Sequence, residues 1–163
     1  MTIAKRVISD FLNTINNVRV GVMIFNNDEG GRIKSGVKSL TDANRTQLIN
    51  DINAINAGTW TPLAETLYEA GLYFKGTTSK FNSGVTYVSP IEYSCQRNYV
   101  LIVTDGQPTK DRNAILGQVI GDRDGDGREP GGKNEVSYAD SGSDYLDDVA
   151  KYLNETDLRP LDG

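Results

Sequence analysis

The sequence predicts an α/β sandwich. Three observations carry that expectation. Tyr99–Val103 is an unbroken apolar run of β-branched and aromatic residues, which reads as a strand buried on both faces of a parallel sheet. Arg19–Phe25 reads as a second, largely buried strand, because neither of its faces is polar beyond the first residue. Around these runs stand segments with apolar residues at helical spacing.

In order, Thr2–Ile15 places Ile3, Val7, Ile8, Phe11, Leu12 and Ile15 at helical spacing. The strand Arg19–Phe25 follows, then a turn rich in Asn, Asp and Gly. Ile33–Val37 is expected as a short antiparallel edge strand. Leu40–Ile55 is expected as a helix with Thr41 or Asp42 as N-cap and a face of Leu48, Ile49, Ile52 and Ile55. Pro62 suits the first position of a helix over Leu63–Phe74. Asp144–Leu153 closes the chain as a helix with Leu146, Val149, Ala150 and Leu153 inward, and Pro160 ends the segment. For Asp147 and Asp148 a solvated helix face is expected. Two long connections, 75–97 and 107–142, lie between these elements, and irregular stretches of that length usually carry function.

At 163 residues the chain is one domain's worth of sequence. The formal charge is −5, unevenly spread: from Asp105 onward 14 carboxylates face 7 Lys and Arg. That argues against nucleic acid as a partner and for cations. There is no histidine, so the commonest general base and transition-metal ligand is missing. A Mg²⁺-dependent phosphatase built on Asp105 would lack both a proton shuttle and a basic cluster, so no enzyme is expected. Cys95 is the one cysteine. It either stays a lone thiol or pairs outside this sequence. No apolar run is long enough to span a membrane, and Met1–Lys5 leads straight into a helix without a signal-peptide pattern.

Two constellations point to metal chemistry. Asp122-Arg123-Asp124-Gly125-Asp126-Gly127 matches the start of a calcium loop, with oxygens at positions 1, 3 and 5 and glycine at 6. Arg128 would ligate through its backbone carbonyl. Lys133 stands where a bidentate acid would close the site, so Glu129, Glu135 and Asp140 are the candidates for the missing ligand. Pro130-Gly131-Gly132 forbids the flanking helix of an EF-hand. The second constellation joins Thr61, just before a helix start, to Asp105 in Thr104-Asp105-Gly106. A hydroxyl and a carboxylate so placed could share one Mg²⁺, waters filling the remaining positions.

On the segments Thr59–Leu67, Thr104–Gly106 and the VGVMIF strand, the chain resembles a von Willebrand factor type A domain. That resemblance implies a three-layer Rossmann-like fold. It is incomplete here, since the first strand, with its Asp-x-Ser-x-Ser segment, and the last strands have no counterpart. Thr61 and Asp105 stand where the family's metal-ion-dependent adhesion site has its Thr and its second Asp. Mg²⁺ is therefore expected only if the missing segment is supplied. The acidic loop followed by YLDDVAKYL and TDLRP looks like the A domain of the PilY family, tip adhesins and assembly factors of type IV pili. This resemblance implies an extracellular, pilus-tip binding module. Its partners would be pilus proteins (minor pilins or other parts of a PilY-like protein) and a host or surface ligand. The alternative it implies is an assembly piece docking on minor pilins, or on another chain that supplies the missing strand. In the family that strand lies between the strands matching Val18–Phe25 and Tyr99–Val103.

Overall fold

The computed structural model describes residues 2–136 and 138–159. Pro160 lies outside them. The chain is mixed α/β, with five α-helices and one sheet of two antiparallel strands among the described residues. It divides into two compact units, Met1–Ile24 with Ile33–Gly58, and Phe25–Arg32 with Thr59–Gly163.

The first unit contains α1 (Thr2–Thr14), α2 (Asp42–Asn53) and most of a hairpin, β1 (Arg19–Phe25) and β2 (Gly31–Ser39). Its core is Leu12, Leu40, Leu48 and Ile52, with Ile8, Ile15, Val20 and Val22 packed around it. Only one side of the α1 stripe is used, for Ile3, Val7 and Phe11 stay exposed. Thr41 caps α2 by accepting the Asn44 N–H, as its position before the apolar face predicts. The edge strand expected over Ile33–Val37 runs longer, over Gly31–Ser39, and pairs with β1. Gly21 sets how closely the two strands approach: a Cβ there would stand 2.8 Å from Ser35 O and Val37 N. The Leu40 N–H closes the open end of the hairpin on Val18 O at 3.0 Å.

The second unit is built on α3 (Leu63–Lys75), α4 (Ala114–Val119) and α5 (Leu146–Glu155). Ala64, Leu67, Leu116, Ile120, Tyr145 and Val149 form its core. Tyr145 is fully buried, and its hydroxyl donates to Leu116 O and Gly121 O. On α5, Val149 is buried and Leu146 and Leu153 pack against the core as expected, but Ala150 is exposed and Asp148 is 1% exposed. Pro62 occupies the N-cap position of α3, one residue before the helix, and offers no side-chain cap. Asp111 takes that role from 47 residues away, accepting the Ala64 N–H at 3.1 Å and the Glu65 N–H at 3.2 Å. Glu69, also buried, accepts from the Lys80 and Phe81 amides and the Tyr87 hydroxyl, holding the 78–87 excursion against α3.

The largest departure is Tyr99–Val103. The expected buried strand is an irregular, exposed stretch, with Tyr99 79% and Leu101 72% exposed. The five residues make no hydrogen bond among the described residues. High β-propensity fits a pleated, half-buried surface, but it supplies no neighbour. Without one there is no ladder, and a parallel sheet is not present among the described residues. The connection 107–142, expected as irregular, contains α4 and a short 3₁₀ turn, Ala139–Ser141.

Candidate metal centre

The loop after α4 folds on its own carboxylates. Gly121, Gly125 and Gly127 all take positive φ, which lets the chain turn repeatedly within seven residues. Asp122 accepts the Gly125 N–H at 2.7 Å on Oδ1 and the Gly127 N–H at 3.0 Å on Oδ2. Asp124 accepts from the Asp126 amide, and Asp126 from the Arg128 amide. These side-chain-to-backbone turns hold alternate aspartates toward one side.

A fourth carboxylate comes from α5. Asp148 Oδ1 accepts the Arg123 N–H at 2.5 Å and the Asp124 N–H at 3.2 Å. One oxygen each of Asp122, Asp124, Asp126 and Asp148 lies within 4.8 Å of the other three. Burial raises the Asp148 carboxyl above its ordinary range, against the pull of the two amides, and the Asp124 charge pushes the same way. The expectation of a solvated face for Asp148 is therefore corrected. Asp147 keeps its place on the exposed side. The helix period turns Leu146, Val149 and Leu153 to the core, but it carries no sign that the loop amides of Arg123 and Asp124 reach back to Asp148.

The other candidates for the loop separate. Glu129 lines the same concavity as Asp122 and Asp126, and its Oε2 is buried without a hydrogen-bond partner. Glu135 is engaged elsewhere, in an ion pair with Arg112. Asp140 stands in the 3₁₀ turn at φ 52°, where its carbonyl accepts the Lys110 N–H. Arg128 points its guanidinium at Asp126, 3.3 Å away, and at Asp144, 2.5 Å away. The four gathered carboxylates make an all-oxygen donor set, which fits a hard cation such as Ca²⁺.

The Thr61 N–H donates to Thr109 Oγ1 at 2.9 Å, and the Thr109 N–H returns to Thr61 O at 3.0 Å. Asp105 is exposed in a bend after the Tyr99–Val103 stretch. Cys95 is an exposed thiol.

Near the α3 start lies a concavity lined by Asp28, Glu29, Glu65, Lys110, Arg112 and Asn113, among others. Glu65 is buried and accepts the Gly30 N–H at 2.8 Å and the Asn113 N–H at 3.1 Å. Burial pushes its carboxyl up to about 8, with the Asp111 charge adding to the shift. Burial likewise pushes Asp111 up to about 7, although three donors pull the other way. Neither buried acid was legible as such: a glutamate two residues into a helix ordinarily faces water.

No protein-family model and no solved structure matches the chain. Two curated proteins do. The chain is 30% identical over 132 residues to the type IV pilus biogenesis factor PilY1 of Pseudomonas aeruginosa strain PAK, an alignment covering 76% of this chain and 11% of that protein. It is 27% identical over 168 aligned positions to the same-named protein of strain PAO1, covering 92% of this chain and 14% of that one. The chain thus spans a small fraction of the length of these relatives, and what it is similar to is a short part of a type IV pilus biogenesis factor.

Proposed function

We propose that the chain is a divalent-cation-dependent binding module of a type IV pilus tip protein, a partial von Willebrand factor A domain braced by a calcium loop. The observation that carries this reading is the convergence of Asp148, from a separate helix, on Asp122, Asp124 and Asp126. Calcium would neutralise four carboxylates that otherwise repel one another, with Glu129 completing the oxygen set. The similarity to PilY1 supports a pilus-related role. In this reading the module sits extracellularly at the pilus tip, works with pilus proteins and a host or surface ligand, and performs no catalysis. Thr61 and Asp105 would hold Mg²⁺ only together with the segment that carries Asp-x-Ser-x-Ser.

Titration calorimetry tests the calcium part. One Ca²⁺ site is expected, and Asp124→Ala should abolish it. Binding that survives that substitution, or none at millimolar Ca²⁺, removes the proposal.

A second reading is favoured by one specific observation, the exposed and unbonded Tyr99–Val103 stretch. There the chain is an assembly piece that pairs this segment with a strand from another polypeptide, a minor pilin or another chain. Hydrogen exchange should find the amides of Leu101 and Val103 fast in the monomeric chain and slow once a pairing strand is present. Slow exchange in the monomer would remove this reading.

A further inference from the structure

Five consecutive apolar residues stand in solvent: Tyr99, Val100, Leu101, Ile102 and Val103 are 79, 46, 72, 38 and 47% exposed. Their backbone N–H and C=O groups make no hydrogen bond among the described residues, and none of the five has positive φ. Tyr99, Leu101 and Val103 are barer than the two residues between them, except that Val100 and Val103 are nearly equal. Odd and even positions of an extended stretch face opposite ways. A stretch with unused ladder groups and an apolar face is what an added strand recognises.

The flanks select the occupant. Arg97 lies four residues before Leu101, and Asp105 lies four residues after it. Neither makes an ion pair among the described residues. Consider two copies paired antiparallel about a two-fold axis at Leu101. Each residue then faces the one equally distant on the other side. Arg97 of one copy meets Asp105 of the other, and the same pair repeats at the far end. Tyr99 faces Val103, Val100 faces Ile102, Asn98 faces Thr104, and Leu101 faces its own equivalent. All three odd-numbered apolar residues and both charges fall on one face. A register shifted by two residues places Arg97 opposite Val103 or Gln107 and loses both ion pairs. In-register parallel pairing sets Arg97 against Arg97, which is destabilising.

We infer that Tyr99–Val103 is a homotypic docking strand whose partner is a second copy of this chain, paired antiparallel about Leu101. This rests on the strand-pairing reading above and names its partner. The ladder provides the affinity, and the two Arg97–Asp105 pairs fix direction and register.

Sedimentation of the chain in EDTA, over a micromolar concentration series, should show a monomer–dimer equilibrium. Arg97→Asp and Asp105→Arg should each weaken the dimer about tenfold, since opposite-charge pairs become like-charge pairs at both ends. The double swap, Arg97→Asp with Asp105→Arg, should restore it. Leu101→Lys, which sets two ammonium groups face to face, should give a monomer with an unchanged circular dichroism spectrum. A chain that stays monomeric throughout, or a double swap no better than the single ones, overturns the inference. In the monomeric case, adding a synthetic peptide of alternating Val and Thr tells the two readings apart. If it protects the Leu101 and Val103 amides, strand pairing stands and only the second copy is wrong. If it gives no protection, both fail.

Discussion

Asp111 and Asp148 are the same side chain at the same depth, 0% and 1% exposed, and each accepts two backbone N–H groups from another part of the chain. Their surroundings differ. Asp111 sits at the amino end of a 13-residue helix, where unpaired amides and the helix dipole favour an anion. Both its oxygens are engaged, the second also by the Ser143 hydroxyl. Asp148 has three further carboxylates beside it. Burial and hydrogen bonding therefore do not by themselves separate a structural carboxylate from a ligand. The number of carboxylates gathered around it is the difference, because Asp148, with three beside it, would gain most from a bound cation.

The comparison can be broken most directly at Asp111. Asp111→Ala leaves two helix-terminal amides buried without an acceptor, and should cost about 3 kcal/mol in urea unfolding. That loss should be the same with and without Ca²⁺. A loss that Ca²⁺ rescues would place Asp111 in the cation's site and end the distinction.

Asp124→Asn sharpens the other side through its sign. In EDTA the variant should be more stable than the native chain, because one of four crowded charges is gone. In Ca²⁺ it should be less stable, because a ligand is lost. The native chain should gain about 2.7 kcal/mol when Ca²⁺ is at a hundred times its dissociation constant. Thermal unfolding in both media would show the crossover, and a change of the same sign in both would refute it.

The remaining test is of pH dependence. Asp111 and Glu65 have carboxyls raised to about 7 and about 8. Their contributions are therefore fully present below the unfolded values near 4 and are lost as pH rises through 7 and 8. In EDTA, unfolding measured from pH 5 to 8 should show this decline. Glu65→Gln should flatten its upper part. With Ca²⁺ present the decline should be shallower, since protons compete with the ion for the loop at the acid end. A native chain that gains stability toward pH 8 in EDTA would contradict the buried assignments.

Much of the local structure was legible. The β1 bounds, the Thr41 cap and the α1 and α2 spans follow from apolar period and cap chemistry, which act within a few residues. The three loop aspartates were legible for the same reason: the turn that gathers them is written in one hexapeptide. What failed is non-local. Asp148 lies 22 residues beyond the loop's last aspartate, and its burial depends on which side of α5 meets the core. Asp111 reaches a helix whose own sequence carries no capping side chain. Tyr99–Val103 has every property of a strand except a neighbour, and a neighbour is not a property of five residues.

Arg128 gives the loop a consequence of its own. Its guanidinium already bridges Asp126 and Asp144, so the loop carries an internal counter-charge before any ion arrives. The Asx turns hold the backbone in its looped course in either condition. Calcium would then meet a preformed seat and tighten it, with little movement to transmit. Under the proposed reading the loop would work as a brace rather than a trigger: it would set how much load the junction with α5 withstands, and it would report poorly on how much calcium is present.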